Sequence, residues 1–359
     1  MSDTVETPQM EEATDTRTTE APPAGDPRNG TMRAISQDEL GGPDVLKLVT
    51  LPIPEPGVSQ ILIRVHAAGV NPIDGANRQT GAFVGQPPFV LGWDVSGTVE
   101  AVGPGVTLYK PGDAVFGLLP FPQGHGAYAE HVVGPTRAFV LKPDQLDHVQ
   151  AAAIPMVGLT AWQALVDTAD VHQGSRVLIT GAAGGIGHLA VQIAKARGAH
   201  VTALASAADL DFVRSLGADE AIDYNATDFT QVVGDQDVVL DVVGGDYPAR
   251  ALDVLKPGGI VVSTQPPAVA AVAETAAGRN IRAAGIIVEA DQVGMSALAE
   301  LAAAGKLVPA IAATFPLENA VAASATADLA AGDGHFPLEE GGAAESGKHG
   351  PGKVVLTIM

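Results

Sequence analysis

The stretch Val177-Leu-Ile-Thr-Gly-Ala-Ala-Gly-Gly-Ile-Gly187 decides the fold of this 359-residue chain. It runs from a compact apolar strand into a glycine-rich turn, and a helix with Leu189 and Ile193 on one face follows. From Ala182 onward the turn has the pattern A-x-G-x-x-G, the dinucleotide fingerprint with Ala at its first position. Small residues let the backbone approach a pyrophosphate, and the start of the helix presents unpaired amides to it. We therefore predict dinucleotide binding by Ala182, Ala183, Gly184, Gly185, Ile186 and Gly187.

The sequence after residue 150 alternates helical stretches with short apolar strands. The helical stretches are 151–167, 186–197 and 208–216, and the strands are 177–180, 201–204, 238–240, 260–263 and 281–288. This alternation is typical of a parallel sheet covered by helices on both faces. It predicts an α/β fold with a doubly wound parallel sheet over residues 151–305.

Residues 31–150 have a different pattern, with short strands broken by Gly and Pro. Apolar positions recur at every second residue from Ile61 to Ala67, the period of a strand, and 95–102 and 128–133 are similar. The chain ends on another apparent strand, 353–358, which needs a sheet to join. We therefore predict that residues 306–359 return to the β domain formed by 31–150.

Two segments lack the pattern of a packed core. Residues 1–30 contain seven acidic residues against two arginines, four prolines and no aromatic residue. Such a composition cannot offset the entropy of ordering, so we predict a disordered acidic tail. Residues 332–352 are rich in Gly and charge and predict a long exposed loop.

Composition excludes several classes of site and partner. Asp and Glu outnumber Lys and Arg by 41 to 20, so the formal charge of −21 repels nucleic-acid phosphates and anionic lipids. The absence of cysteine excludes disulfides, thiolate nucleophiles and Cys-ligated zinc. No apolar run reaches the roughly 18 residues that span a bilayer, and the N-terminus lacks a signal-peptide pattern. We expect a cytoplasmic protein with a small-molecule partner, without nucleic-acid or membrane binding.

The end of the second strand of the α/β region bears on the choice between NADP and NAD. NAD-binding chains place Asp or Glu there to bind the ribose hydroxyls, whereas this strand ends at Leu204-Ala-Ser206-Ala. A Ser206 hydroxyl can bind a 2′-phosphate that a carboxylate would repel, which favours NADP. No basic residue follows directly, and Asp209 and Asp211 are near, so the alternative of Ser206 as a plain turn residue stays open.

An ordered series of short motifs continues along the chain. They are AGVNPID at 68–74, VLGWDVSG at 90–97, KPGDAVF at 110–116, GAYAE at 126–130, GLTAW at 158–162, LGAD at 216–219, LKPGG at 255–259, GKL at 305–307 and GKVVL at 352–356. Together with the glycine turn they resemble the medium-chain dehydrogenase/reductase superfamily, in its zinc-free quinone oxidoreductase branch. The resemblance implies a GroES-like β domain made from both chain ends, a Rossmann domain between them and an active site in the cleft.

The resemblance also implies roles for single residues. Asn71 matches an Asn beside the nicotinamide, Thr160 matches a cofactor-contacting Thr at the head of a helix, and Tyr224 matches a Tyr near the adenosine 2′-phosphate. Relatives commonly dimerise through the edge strand of the Rossmann sheet, so a homodimer is expected. The residue after Ser206 departs from the pattern because many relatives are basic there.

The chemistry follows from the missing zinc ligands. Zinc-containing relatives use the metal to give a bound alcohol alkoxide character. A metal site built instead from Asp94, His125 or Glu130 is the weaker alternative. Without zinc, hydride from NADPH is expected to reach a quinone or an α,β-unsaturated carbonyl, whose oxygen takes up the charge. The candidate catalytic residues are Asn71, as an amide donor or a turn residue, and Tyr128, as a proton donor or a core aromatic.

Other interpretations stay open at this level. Asp74 is either a polar group of the site or a helix cap, and capping is preferred. His188 is expected to face solvent or to pack rather than to bind phosphate. A protein of this fold can also bind nucleotide without turnover, or serve as a dedicated enoyl reductase of a pathway.

Overall fold

A computed structural model describes residues 30–331 and 350–358. Residues 1–29 of the predicted tail and residues 332–349 of the predicted loop lie outside these described residues. The segment 30–141 is built from short strands around one helix. Its elements are β1 (Thr31–Gln37), β2 (Lys47–Pro52), β3 (Gln60–Val70), α1 (Pro72–Thr80), β4 (Phe89–Val90), β5 (Asp94–Val102), β6 (Ala114–Leu118), β7 (His131–Pro135) and β8 (Phe139–Leu141).

Helices and parallel strands alternate from residue 148 to residue 303. The elements are α2 (His148–Ala152), α3 (Pro155–Trp162), β9 (Arg176–Ile179), α4 (Gly185–Ala196), β10 (His200–Ala205), α5 (Leu210–Ser215), β11 (Glu220–Asp223), β12 (Gln236–Asp241), α6 (Tyr247–Ala251), β13 (Leu255–Ser263), α7 (Pro266–Ala270), α8 (Ala273–Gly278), β14 (Arg282–Gly285) and α9 (Gln292–Ala303). The stretch predicted as helical over 151–167 is helical except at residues 153–154, and it is not one continuous helix. Pro155 lacks an amide hydrogen and begins α3, and a π-helical turn, Gln163–Thr168, follows it.

The six strands β9 to β14 form one parallel sheet in the order β11-β10-β9-β12-β13-β14. The strand order reverses between β9 and β12, which makes that point the switch of a doubly wound sheet. Ligands of such sheets bind in the crevice outside the carboxyl ends of the strands at this switch. The predicted doubly wound parallel sheet is therefore confirmed.

The last elements return to the sheet formed near the start of the chain. They are β15 (Ile311–Pro316), α10 (Ala320–Ala331) and β16 (Lys353–Thr357). The seven-stranded sheet has the order β15-β16-β3-β5-β6-β8, with β7 also paired to β3. β16 runs antiparallel to β3, and Val354 lies opposite Val70. The domain limits 31–150, 151–305 and 306–359 stay predictions.

The strand predicted over residues 128–133 begins later than expected. β7 starts at His131, and Tyr128 lies in an irregular segment before it. The amide of Tyr128 donates to the Leu91 carbonyl, and the amide of Ala127 donates to the Gly92 carbonyl. The Tyr128 carbonyl accepts from the Ile35 amide of β1, so the residue lies between two segments, and its buried side chain reaches Asp74 of α1. No helix among the described residues is long and apolar enough to cross a membrane.

Candidate functional site

The glycine turn joins β9 to α4 at the switch point of the parallel sheet. Gly184 is the N-cap of α4, and no side chain caps this end of the helix. The first amides of the helix therefore remain available to an anion. A side chain on Gly184 would approach only the Gly181 carbonyl oxygen, at 3.3 Å, so a ligand can reach this backbone. The turn thus fits the pyrophosphate of a dinucleotide.

Two glycines of the turn are required by the backbone. Gly181 has a φ of +57°, in the left-handed region that favours glycine. A Cβ on Gly187 would collide with the carbonyl oxygen of Gly181 and the backbone of Ala182. Helix α4 can therefore pack this closely against the turn only with glycine at position 187. The six predicted residues 182–187 lie together at the turn, and their contact with a cofactor stays a prediction.

A buried polar cluster lies at the adjoining ends of β3, β5 and β16. Its members are Asn71, Asp74, Asp94, Tyr128 and Lys353, and all five are buried. The pairing of Val354 with Val70 places Lys353 beside Asn71, which follows β3 directly. Asp94 begins β5, which pairs with β3 on its other side. Sheet register therefore brings Asn71, Asp94 and Lys353 together from three separate parts of the sequence.

Hydrogen bonds fix the amide of Asn71 from both sides. Its Nδ2 donates to Asp94 Oδ2 over 2.8 Å, and its Oδ1 accepts from Lys353 Nζ. Lys353 Nζ also donates to the Val70 carbonyl at 2.9 Å and lies 3.7 Å from Asp94 Oδ2. The other carboxylate oxygen of Asp94 accepts from the Met156 amide at 2.6 Å. One N–H of the Asn71 amide is left for a ligand, because Nδ2 carries two hydrogens.

A second branch of the cluster joins Asp74 to Tyr128. Asp74 Oδ2 accepts from the Asn71 backbone amide and from the Tyr128 hydroxyl, each over 2.7 Å. Asp74 is the third residue of α1, which begins at Pro72, so it does cap the helix start. Oδ1 of Asp74 is buried without a hydrogen-bond partner among the described residues.

Burial dominates the electrostatics of the cluster. Desolvation raises the pKa of Asp74 to about 7, and it also raises the pKa of Asp94. Desolvation lowers the pKa of Lys353, against the attraction of Asp94 and Asp74. The pKa of Tyr128 is raised well above its ordinary value by burial and by the Asp74 charge. Tyr128 therefore keeps its proton at neutral pH, and Asp74 is partly protonated there.

The cluster and the glycine turn touch each other through the last strand. The Gly352 amide donates to the Ala183 carbonyl over 3.3 Å. A Cβ on Gly185 would lie 3.3 Å from Cδ of Lys353. Lys353 therefore passes from the first turn of α4 to Asn71, and it links the predicted pyrophosphate site to the predicted nicotinamide site.

Thr160 does not stand at the head of a helix. It is the sixth residue of α3, which begins at Pro155, and its hydroxyl donates to the Met156 carbonyl over 2.7 Å. The hydroxyl is buried, and its placement at a helix head is wrong because the proline starts the helix earlier than expected. A cofactor contact by Thr160 stays a prediction.

Ser206 and Tyr224 lie together at the carboxyl edge of the parallel sheet. Ala205 pairs with Asp223 between β10 and β11, and the Tyr224 amide donates to the Ala205 carbonyl over 3.3 Å. Tyr224 is 44% exposed. The Ser206 hydroxyl is engaged, because it donates to Asp209 Oδ2 over 2.7 Å.

His188 is buried rather than exposed. Its Nδ1 contacts the Gly184 carbonyl at 2.9 Å, and its Nε2 accepts from the Ala310 amide at 3.1 Å. Both contacts are satisfied by the neutral ring, and burial lowers its pKa to about 4. His188 therefore ties the glycine turn to the segment that leads into β15.

The alternative zinc ligands do not meet. Asp94 is held in the buried cluster, Glu130 pairs with Arg33 at 2.8 Å, and His125 Nδ1 contacts the Val90 carbonyl at 2.7 Å. Within residues 30–331 and 350–358, no group of three or more His, Asp or Glu side chains could hold a metal ion.

Lys353 was not predicted from the sequence, and Asp94 was considered only as a metal ligand. Both were visible within quoted motifs, GKVVL at 352–356 and VLGWDVSG at 90–97. The available signal was a charge at the head of an apolar strand, which must find a partner when it is buried.

Two domain families match the chain. Residues 57–144 match the alcohol dehydrogenase GroES-like domain family, and residues 216–334 match the zinc-binding dehydrogenase family. The GroES-like match lies on the strands β3 to β8, and the second match includes the carboxyl half of the parallel sheet. The predicted GroES-like domain beside a Rossmann domain is therefore confirmed.

Curated relatives and a solved structure agree with these families. A zebrafish (Danio rerio) mitochondrial NAD(P)H oxidoreductase RTN4IP1 is 38% identical over 64% of this chain and 65% of its own length. A chloroplastic NADPH-dependent alkenal/one oxidoreductase of Arabidopsis thaliana is 40% identical over 65% of this chain and 62% of its own length. The chain thus spans slightly less than two thirds of these relatives.

The structural match extends further. The quinone oxidoreductase of Coxiella burnetii superposes with a TM-score of 0.81 and 36% sequence identity, over 92% of this chain and 100% of that one. Similarity over a whole homologous chain, together with the two domain families, identifies the family that the motifs resembled. The chain belongs to the medium-chain dehydrogenase/reductase superfamily, in its quinone oxidoreductase-like branch.

Proposed function

We propose that the protein is a zinc-independent oxidoreductase that uses NADPH to reduce a quinone or an α,β-unsaturated carbonyl. The observation that carries this proposal is the physical link between the glycine turn and the buried cluster. The Gly352 amide donates to the Ala183 carbonyl and the adjacent Lys353 donates to Asn71, so a cofactor lying along the turn would end beside the Asn71 amide. The names of the Arabidopsis and Coxiella relatives fit the same substrate classes.

The turn and the cluster would divide the binding of the cofactor between them. The start of α4 offers its amides to the pyrophosphate, and Gly184 lets the backbone approach it. Asp94 and Lys353 hold the Asn71 amide in one orientation, so its second N–H would be presented to a ligand oxygen in a fixed direction. The bound nicotinamide supplies the hydride, and the residues of this chain supply position and protons.

Tyr128 and Asp74 are the proposed source of the proton. Reduction of a conjugated carbonyl adds a hydride at one carbon and a proton at the next, while the negative charge passes through the carbonyl oxygen. The Tyr128 hydroxyl, which donates to Asp74 Oδ2 over 2.7 Å in the resting site, would turn its O–H to the substrate and give up that proton while Asp74 is in its protonated form. Asp74, with a pKa raised to about 7, then returns a proton to the tyrosine oxygen. Because the pKa of Asp74 lies near neutral, its proton is available at pH 7 when negative charge develops on the tyrosine oxygen.

NADPH is the proposed donor because β10 ends at Ser206 without an acid, and because the exposed Tyr224 lies beside it. The separated positions of Asp94, His125 and Glu130 support the absence of zinc from the reaction. A homodimer and a cytoplasmic location stay predictions.

The test measures loss of absorbance by reduced nicotinamide with benzoquinone, phenanthrenequinone, 2-hexenal and a cyclic enone as acceptors. Acceptor-dependent consumption of NADPH is expected, and the preferred acceptor separates quinone from alkene reduction. The matched variant is Gly184→Asp, which adds a carboxylate where the pyrophosphate would lie but caps the helix favourably. It should remain folded and lose turnover. Binding of NADPH by the parent protein without turnover of any acceptor would contradict the proposal.

A further inference from the structure

The corner of the sheet beside Ser206 contains the carboxylate of Asp209, which bonds directly to the serine. Ser206 Oγ donates to Asp209 Oδ2 over 2.7 Å, and the Asp209 amide donates back to the Ser206 carbonyl over 2.9 Å. These two bonds close a tight turn directly after β10. Asp209 is the N-cap residue of α5, but its side chain does not cap that helix. The Asp209 carboxylate therefore accepts a hydrogen bond from Ser206, the residue predicted to bind a 2′-phosphate.

The charges around this turn are mostly negative. Asp223 ends β11 opposite Ala205, so a second carboxylate lies at the same edge of the sheet. The only basic residue between positions 205 and 224 is Arg214, and it pairs with Asp211 over 2.9 Å. A 2′-phosphate bound at Ser206 would thus face Asp209 without a neighbouring free cation from this segment. Like charges at such short range weaken binding, more strongly at low salt.

We propose that Asp209 is a specificity-determining residue that lowers the preference for NADPH over NADH. Its carboxylate holds the Ser206 hydroxyl away from a 2′-phosphate, and it can accept a hydrogen bond from the 2′-hydroxyl of NADH instead. NADPH must break the Ser206–Asp209 bond to use the serine, whereas NADH need not. This inference rests on the proposed function, because it concerns the adenosine end of the same nicotinamide site.

The experiment measures the dissociation constants of NADPH and NADH by quenching of protein fluorescence, with the full chain and with Asp209→Asn. Asparagine keeps the size of the side chain and can still accept from Ser206, but it removes the charge. We expect the NADPH dissociation constant to fall about tenfold, with the NADH constant changing by less than about threefold. The gain should shrink as salt is raised, because screening reduces the repulsion that the parent protein suffers.

The matched control is Glu274→Gln on α8, an exposed acid that packs near β14 at the opposite edge of the same sheet. It removes one charge and should leave the ratio of the two constants unchanged. Asp209→Ala gives a second variant, which also frees the Ser206 hydroxyl and should favour NADPH at least as strongly. A ratio that stays within about twofold in both Asp209 variants would overturn the inference. Failure of the parent protein to bind either nucleotide would instead overturn the proposed function.

Discussion

Replacement of Lys353 by methionine tests whether the buried cluster is held together by charge. Methionine has a similar length but neither charge nor donor. The change removes the donor to the Val70 carbonyl and to Asn71 Oδ1, and it removes the cation 3.7 Å from Asp94. Because Lys353 is only 3% exposed, water cannot replace these bonds without opening the sheet.

The magnitude follows from the charge left behind. Removing one partner of a buried ion pair destabilises a protein by about 3–5 kcal/mol, because the remaining charge stays unsolvated. Asp94 still accepts from Asn71 and from the Met156 amide, so we expect a loss of about 3 kcal/mol for Lys353→Met. Asp94→Asn should cost a similar amount, because it leaves the Lys353 ammonium buried with the partly protonated Asp74.

The double variant separates charge from packing. If the two residues act as a pair, Asp94→Asn with Lys353→Met should lose about 2 kcal/mol less than the sum of the single losses. The measurement is urea unfolding followed by far-ultraviolet circular dichroism at neutral pH, with the denaturant slope compared among all four proteins. A loss below about 1 kcal/mol for Lys353→Met, or additivity within about 0.5 kcal/mol, would refute the reasoning.

Four further predictions concern the glycine turn, His188, Tyr128 and the absence of a metal requirement. Gly187→Ala should abolish NADPH binding and lower the urea midpoint, because its Cβ meets the Gly181 carbonyl; calorimetric titration checks the binding. His188 has a pKa lowered to about 4 against about 6.5 unfolded, so its stabilisation, at most about 3 kcal/mol, is complete above pH 6.5 and declines as pH falls towards 4. Unfolding of His188→Gln across that range should depend less on pH. Tyr128→Phe should reduce kcat at least tenfold while NADPH still binds, which steady-state and binding measurements compare. Dialysis against EDTA should leave turnover unchanged, as an assay before and after dialysis would show.

The parallel sheet and its glycine turn could be predicted because their signals are local. A strand, a small-residue turn and an amphipathic helix follow one another within about 20 residues, so one stretch of sequence contains the whole pattern. The helical stretch over 151–167 is interrupted for a local reason too, since α2 ends at Ala152 and Pro155 begins α3. Apolar composition alone could not place that break.

Tyr128 shows where local patterns mislead. Alternation over 128–133 favours a strand, but the segment around Tyr128 forms only an isolated bridge with β1, and its other partner is the irregular segment at Leu91 and Gly92. That partner is more than 30 residues away and has no strand pattern of its own. The hydroxyl then meets Asp74 on α1, which only the packed structure could reveal.

The buried cluster could not be predicted from the spacing of apolar residues, for a different reason. Its charges come from the heads of β5 and β16, and the register of both strands on β3 decides whether they meet. Yet each is a charged residue in front of an apolar run, and an unpaired charge cannot stay buried cheaply. Asp94 and Lys353 have opposite signs and lead into strands of one sheet, so each could have been predicted as the other's partner. The opposite signs therefore mark Asp94 and Lys353 as candidate partners, and the register of β5 and β16 on β3 is what brings them together.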